Sequence, residues 1–221
     1  SSRNILAIGT SAGGFDALRF LASQFSHDLP ASVLVAIHLS SQSRSTLDAI
    51  LTQSGPLIAG FAEDGERLQK SRIYIGPPER HLLLEGDTLR LGRGPRENNA
   101  RPAIDPMFRS VALCCGVRAI GVVLTGTLGD GAAGLQILKQ SGGITLVQDP
   151  SDAVVSVKAD HVVGLAEMPA LLEVLVRQPA GSPIPVPDGI GYEVEIAKTG
   201  RSNVSNLERI GRRSVLTCPD C

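Results

Sequence analysis

Residues 5–14 read ILAIGTSAGG, an apolar run that ends in a turn of glycines and hydroxyl side chains. A helix-like stretch follows directly, over residues 15–25. A strand, a glycine-rich turn and a helix in this order are typical of the opening unit of a parallel α/β fold. The turn holds Ser11 among glycines, which keep its hydroxyl accessible, and the helix adds free amides and a positive dipole end.

This turn has two interpretations when taken alone. A Gly/Ser-rich turn after a first strand commonly cradles a nucleotide phosphate, whereas a serine at a strand-to-helix turn is where a hydrolase holds its nucleophile. The spacing departs from the dinucleotide fingerprint because serine occupies position 11, and from the P-loop because no Gly-Lys pair follows. Residues further along the chain decide between the two.

The alternation of strands and helices continues to residue 177. Strand candidates lie at residues 4–9, 32–37, 57–61, 72–75, 119–124 and 144–147, and helix candidates at residues 14–24, 46–53, 106–114, 131–140 and 168–177. This pattern predicts an α/β fold, a doubly wound, mostly parallel Rossmann-like sheet flanked by helices. Residues 82–91 interrupt it and predict an inserted β-hairpin with a II′ turn at Gly86-Asp87.

The composition changes after residue 178. We expect residues 1–178 to form the main domain, and residues 179–221 to be a Pro/Gly-rich linker and tail that begin a truncated further module. Within the tail, residues 192–197 predict a lone edge strand. The last four residues, Cys218 to Cys221, resemble half of a zinc knuckle, but two thiolates are too few for a closed site, so we expect no metal.

The overall composition excludes several classes of protein. With 21 basic and 22 acidic residues the formal net charge is −1, so no global field attracts nucleic acid or anionic membrane. No apolar run approaches the ~20 residues of a membrane span, and no signal peptide precedes Arg3. The adjacent pair Cys114-Cys115 is a poor disulfide candidate. We therefore expect a cytoplasmic, reduced protein.

A serine nucleophile needs a base, and His38 is the best placed of the four histidines. It ends the predicted strand at residues 32–37, at the same sheet edge as Ser11. A dinucleotide fold would place an acid there to hold a ribose, which favours the hydrolase interpretation. The alternative is a histidine that only caps its strand. His81, which leads into the hairpin, fits a structural role or a substrate contact.

The base in turn needs an orienting acid, and Asp130 follows another strand end on this edge. It lies in a glycine-rich loop just before the helix at residues 131–140, so N-capping of that helix is the alternative. Asp149 and Asp152 are weaker candidates. Because open α/β sheets bind ligands at the carboxyl ends of their strands, the joint placement of Ser11, His38 and Asp130 carries more weight than each residue alone.

With these loops assembled, the chain resembles the CheB family, the catalytic domain of the protein-glutamate methylesterases of bacterial chemotaxis. The resemblance runs from about Asn4 to Arg177, and its specific stretches are residues 8–14, 78–82, 101–108 and 124–134. It implies that Ser11 is the nucleophile, His38 the general base and acid, and Asp130 the partner of His38. The chain order Ser, His, Asp agrees, whereas the α/β-hydrolase elbow goes with Ser, Asp, His.

The resemblance implies removal of methyl esters from glutamate side chains of methyl-accepting chemoreceptors, with release of methanol, and glutamine deamidation by the same route. The partner would be the acidic helical bundle of the receptor, and no cofactor is implied. We expect a receiver or other regulatory domain of the family to be absent from this chain. The alternatives are a general esterase, a catalytically degenerate module and a nucleotide-binding α/β signalling module.

Substrate contacts are predicted on two loops. Backbone amides of Ala12, Gly13 and Thr127 would form the oxyanion and substrate-binding site. Ala12 stands where many family members have threonine, and residues 127–129 replace a frequent Met-Gly-Asn, which bears on rate and substrate fit. A basic cluster of Arg93, Arg96 and Arg101 predicts a receptor contact, with a salt-bridged surface as the alternative.

Overall fold

Helices cover both faces of a parallel sheet in the computed structural model, which describes residues 2–38, 46–124, 129–149 and 158–201. Within these ranges the elements in chain order are β1 (Ile5–Thr10), α1 (Phe15–Gln24), β2 (Ser32–Ile37), α2 (Leu47–Ser54), β3 (Ile58–Phe61), β4 (Arg72–Ile75), β5 (His81–Glu85), β6 (Thr88–Gly92), α3 (Ile104–Cys115), β7 (Ala119–Val123), α4 (Ala132–Gln140), β8 (Ile144–Gln148), β9 (His161–Val163), α5 (Met168–Leu175) and α6 (Ile190–Thr199).

The main sheet has seven strands in the order β3-β4-β2-β1-β7-β8-β9, and every neighbouring pair is parallel. The chain first moves outward from β1 to β2, then returns to place β7 on the other side of β1. The strand order therefore reverses between β1 and β7, which opens a crevice at their carboxyl ends. The predicted doubly wound parallel sheet is confirmed.

Two apolar cores flank this sheet because its side chains alternate between the faces. Leu6 and Ile8 of β1 pack into the core formed with α1, α2 and α5. Ile5 and Ala7 belong to the opposite core, which α3, α4 and the β5–β6 hairpin complete. Burial on both faces explains why these strands are continuous apolar runs in the sequence.

The inserted hairpin also matches its prediction. Strands β5 and β6 pair antiparallel with Glu85 opposite Thr88, which leaves Gly86 and Asp87 as a two-residue turn. Gly86 has a φ of +60°, while Asp87 is not among the residues of positive φ. A positive φ at the first central residue alone is the signature of a II′ turn.

The tail differs from its prediction. Residues 192–197 were expected to form an edge strand, but they lie inside helix α6. Gly189 and Gly200, with φ values of +94° and +71°, bound this helix, and its Ile190 and Ala197 are buried against the domain. Strand β9 was not predicted because three residues are too short for a periodic signal. The boundary at residue 178 stays a prediction.

The last twenty residues, 202–221, and with them Cys218 and Cys221, lie outside the described residues. No helix in the ranges that the structure describes combines the length and apolar character needed to cross a bilayer.

Candidate active site

Neighbouring strands bring Ser11 and His38 to the same edge of the sheet. Thr10, the last residue of β1, is in register with Ile37, the last residue of β2. The backbone N–H of His38 donates to the carbonyl of Thr10 at 3.3 Å. Because adjacent strands lie about 4.8 Å apart, the two residues that follow this last pair leave the sheet side by side.

The turn after β1 exposes the amides that precede α1. Ser11 has an extended backbone and is followed by a single 3-10 turn, Ala12–Gly14, before α1 begins. The N–H of Gly14 donates to the carbonyl of Ser11 at 3.0 Å, while Ala12 and Gly13 are exposed. A Cβ atom at Gly13 would lie 3.7 Å from Ser11 Oγ. Gly13, one of the predicted oxyanion residues, therefore borders the serine hydroxyl at the protein surface.

His38 and Asp130 form a short hydrogen bond, with 2.6 Å between Nε2 and Oδ2. The imidazole is partly exposed, at 28% of its side chain, whereas Asp130 is buried at 2%. Because an ionised carboxylate only accepts hydrogen bonds, Nε2 is the donor, and Nδ1 of the neutral ring carries the lone pair. Of the predicted acids, Asp130 is thus the partner of His38; Asp149 is exposed, and Asp152 lies outside the described residues.

Several hydrogen-bond donors stabilise the ionised carboxylate of Asp130. Burial raises the pKa of its carboxyl, but the hydrogen bonds outweigh burial and keep the pKa below the ordinary 3.8. These bonds come from His38, from the amides of Ile104 at 2.8 Å and Asp105 at 3.1 Å, and from the side chain of Asn98 at 3.0 Å. The carboxylate therefore stays ionised at neutral pH, as an orienting acid must.

The N-capping alternative for Asp130 takes an unexpected form. Gly131 precedes α4 in the left-handed region, and no side chain caps that helix. Asp130 instead accepts hydrogen bonds from the first amides of α3, more than twenty residues earlier in the chain. The same carboxylate thus orients His38 and anchors the N-terminus of α3.

Sequence reasoning assigned no role to a second buried acid at this site, Asp105. Burial raises the pKa of Asp105, and the charge of Asp130 raises it further. The Gly134 amide, 2.6 Å from Asp105 Oδ1, lowers this pKa, but the effect of burial is larger. Asn98 Nδ2 bridges the two acids, 3.1 Å from Asp105 Oδ2 and 3.0 Å from Asp130 Oδ1. Asp105 belongs to a stretch that resembles the family, but Asn98 carries no signal in the sequence.

His81 has the structural role. Its ring is fully buried, Nδ1 accepts from the amide of Ala103 at 3.3 Å, and Nε2 therefore donates to the carbonyl of Pro95 at 2.8 Å. Burial lowers the pKa of the imidazole, so the ring is neutral at neutral pH. It links both ends of the segment between the hairpin and α3 and does not reach a substrate.

The basic cluster is partly neutralised. Glu79 pairs with both Arg96, at 2.5 Å, and Arg101, at 3.0 Å. Arg93 is exposed and forms no ion pair with any residue that the structure describes. The salt-bridged alternative thus applies to Arg96 and Arg101, while Arg93 presents its charge to solvent. Thr127 lies outside the described residues.

The described ranges contain no group of three or more His, Cys, Asp or Glu side chains that could hold a metal ion. Cys114 and Cys115 are free thiols, with 3.1 Å between their sulfur atoms.

This chain is similar in sequence to known proteins. The family model described as CheB methylesterase matches residues 6–174. A protein-glutamate methylesterase/protein-glutamine glutaminase of Maricaulis maris is 36% identical over 177 residues, which cover 74% of this chain and 44% of that protein. The protein of the same description from Pectobacterium atrosepticum is 38% identical over 159 residues, with coverage of 70% and 45%. The chain thus spans less than half the length of these two relatives.

A solved structure extends the likeness to the fold. The crystal structure of the Thermotoga maritima CheB methylesterase catalytic domain matches with a TM-score of 0.74 and 29% identity, covering 80% of this chain and 100% of that one. The family match covers well over half of the present sequence, from β1 through most of α5. Fold and sequence together show that this chain belongs to the CheB methylesterase family.

Proposed function

We propose that this domain is a serine hydrolase that removes methyl esters from glutamate side chains of chemoreceptors. The observation that carries the proposal is the 2.6 Å hydrogen bond between His38 and the buried Asp130, at the strand end beside Ser11. A nucleophile, a base and an orienting acid are the groups that ester hydrolysis through an acyl-enzyme requires. The names of the relatives supply the substrate class.

In the first half of the reaction, Ser11 Oγ attacks the γ-carbonyl carbon of the methyl ester. Its proton passes to Nδ1 of His38, because Nε2 already donates to Asp130. The imidazolium that forms is stabilised by the buried carboxylate. The oxyanion is held by backbone N–H groups of Ala12 and Gly13 in the 3-10 turn before α1, together with that of Thr127.

The tetrahedral intermediate then collapses, and His38 protonates the departing methoxide to give methanol. A water molecule, deprotonated by Nδ1, attacks the acyl-enzyme carbonyl. Collapse of the second intermediate returns the proton to Ser11 Oγ and leaves a glutamate side chain. With a glutamine side chain as substrate, the same steps release ammonia, which is the deamidation part of the proposal.

The exposure of the turn suits a protein substrate. Ala12 and Gly13 are exposed and Ser11 is partly exposed, so an ester on a receptor helix reaches the hydroxyl without entering a deep cavity. A cavity of about 560 Å³ lies between α1 and α2, and Ser11, His38 and Asp130 do not line it. A methoxide leaves more readily than an amide nitrogen, which lowers the demands on a shallow site.

The partner and the location are part of the proposal. The acidic receptor bundle would meet the basic cluster of Arg93, Arg96 and Arg101, in which Arg93 makes no ion pair with a described residue. A receiver or other regulatory domain is a further partner in the proposal, and the protein would work in the cytoplasm. Ala12 lacks the hydroxyl that many family members carry beside the nucleophile, and we expect this to alter rate or substrate fit.

The test is methanol release from methylated chemoreceptor membranes, comparing the wild-type protein with Ser11→Ala. Ser23→Ala is the matched control, because it removes a hydroxyl near the C-terminal end of α1, about two helical turns from the end that faces Ser11. We expect release by the wild type and by Ser23→Ala only. Equal release by Ser11→Ala would contradict the assignment of the nucleophile. A Ser11 that a fluorophosphonate does not label would favour the degenerate module.

A further inference from the structure

Asn98 lies at the protein surface and hydrogen-bonds both buried acids of the site, Asp105 and Asp130. It is an exposed residue, yet its side-chain Nδ2 lies 3.0 Å from Asp130 Oδ1 and 3.1 Å from Asp105 Oδ2. An amide nitrogen has two hydrogens, and both are used here. Its backbone φ is +51°, in the left-handed region that asparagine tolerates better than most residues.

The segment that carries Asn98, residues 93–103, is called the bridging loop below because it joins the hairpin to α3. Its fixed points include the hydrogen bond from His81 to the carbonyl of Pro95 and that from Arg101 Nη1 to the carbonyl of Gly94, at 2.8 Å each. Glu97 and Ala100 exchange two backbone hydrogen bonds across Asn98. The position of Asn98 therefore depends on Glu97.

Arg109 of α3 holds the carboxylate of Glu97. Its Nη2 lies 2.6 Å from both carboxylate oxygens of Glu97, and its side chain is 9% exposed. The same guanidinium contacts a second acid, since Nε lies 3.2 Å from Glu193 Oε2 in α6. One buried arginine thus joins the bridging loop to α6.

Helix α6 also contacts the bridging loop through its backbone. The amides of Arg93 and Gly94 donate to the carbonyls of Lys198 at 3.0 Å and Ala197 at 2.9 Å. Lys198 pairs with Glu85 of the hairpin at 2.7 Å. This helix begins at residue 190, beyond the residues 6–174 that the family model matches. It therefore lies outside the region that the family model matches.

We propose that Asn98 is a positioning residue for the Asp130–His38 pair and that α6 sets its position through Glu193, Arg109 and Glu97. The proposal rests on the proposed function, because it concerns the same site. A carboxylate rotates about its Cβ–Cγ bond, and the bond from Asn98 to Oδ1 keeps Oδ2 directed at His38. The amide also separates Asp130 from Asp105, whose charges repel. Undocking of α6 frees the bridging loop and lowers turnover without touching Ser11.

The first experiment measures hydrolysis of a small activated ester by the full chain carrying Asn98→Gly. Glycine adopts the φ of this position and removes the side chain with its amide. We expect kcat to fall about tenfold, with KM unchanged within roughly twofold, since no substrate contact is lost. Asn98→Asp adds a third carboxylate, and we expect its kcat to be lower than that of Asn98→Gly. An Asn98→Gly variant with wild-type kcat would overturn the positioning role.

The second experiment tests the path through α6. Glu193→Gln removes the charge that faces Arg109, and Glu195→Gln, an exposed residue of the same helix, is its matched control. We expect kcat to fall about threefold in Glu193→Gln and to stay unchanged in the control. In the Asn98→Gly background, Glu193→Gln should cause no further fall. Independent, additive losses would overturn the linkage.

A third measurement does not depend on turnover. The low-field NMR resonance of the His38 Nε2 proton reports the hydrogen bond to Asp130 directly. We expect it to shift in Asn98→Gly and, less, in Glu193→Gln, and not in Glu195→Gln. If Ser11→Ala and the wild type hydrolyse esters equally, the proposed function has failed, and this resonance still decides the present inference. An unchanged resonance in Asn98→Gly would overturn it.

Discussion

His38 meets Asp130 through Nε2, with Oδ2 2.6 Å away, so in the proposed mechanism Nδ1 is the nitrogen that takes the proton of Ser11. The strand register supports this arrangement, because β1 and β2 end on the pair Thr10–Ile37, and Ser11 and His38 follow. A substitution at Asp130 therefore acts on the tautomer of His38 and not on access to the serine.

Asp130→Asn is expected to lower kcat by up to about 10⁴-fold, because an amide no longer fixes the proton on Nε2 or stabilises the imidazolium. The measurement is hydrolysis of a methylated receptor or of a small ester. Asp149→Asn is the control, since Asp149 is exposed at the end of a neighbouring strand. Activity of Asp130→Asn within tenfold of the wild type would remove Asp130 from the triad.

His81 predicts a pH dependence of stability. Its pKa is lowered in the folded state by burial, while the unfolded chain titrates near the ordinary 6.5. The unfolded state thus binds the proton first, and stability that is present above pH 6.5 is lost as the pH falls towards the lower folded pKa. Denaturant unfolding between pH 8 and 5 should show a slope of up to about 1.4 kcal/mol per pH unit from this residue.

The control for that slope is His81→Gln, which keeps hydrogen-bonding capacity without a titrating ring. We expect the variant to be less stable at pH 8 but flatter between pH 6.5 and 5. An identical slope in both proteins would assign the pH dependence to another group.

Gly9 predicts a steric coupling between β1 and α3. A Cβ atom there would overlap Cγ2 of Ile104, whose amide donates to Asp130. Gly9→Ala should cost about 1–3 kcal/mol of unfolding free energy and reduce kcat, because Ile104 must move. Adding Ile104→Ala makes room for the methyl group, so the double variant should lose less stability than the sum of the two single variants. Additive losses would contradict the overlap.

Arg93 predicts electrostatic steering of the receptor. Arg93→Glu should reduce turnover of receptor membranes at low salt, with the difference shrinking as salt is added, while hydrolysis of a small neutral ester stays unchanged. Arg19→Glu on α1 is the control, because that exposed arginine lies away from the bridging loop. A receptor rate that Arg93→Glu leaves unchanged would reject steering.

The sheet was the most predictable part of the fold. The predicted strands at residues 32–37 and 72–75 agree with β2 and β4 to the residue, because buried parallel strands are continuous β-rich runs between turn residues. Residues 192–197 were assigned wrongly because YEVEIA alternates like a strand. These residues form a helix because α6 packs on the bridging loop. Gly94 has no side chain there, so the backbone of α6 can lie against it.

The site was predictable where it depends on strand ends. Ser11 and His38 follow β1 and β2 directly, and Asp130 follows β7, so topology alone brings them to one edge. Asn98 was not predictable, because it reaches Asp130 across 32 residues of chain from a loop without periodicity. Such contacts depend on how separate elements meet, which no local pattern records.

The Asp130 side chain both orients His38 and holds the N-terminus of α3, and this has an evolutionary consequence. Its carboxylate accepts the amides of Ile104 and Asp105 besides the proton of His38. A descendant that abandoned catalysis would be free to change Ser11 and His38, but replacing Asp130 would strand two buried donors at about 1–3 kcal/mol each. Inactive descendants should therefore retain the aspartate. Only the serine and the histidine should differ between an active enzyme and an inactive descendant.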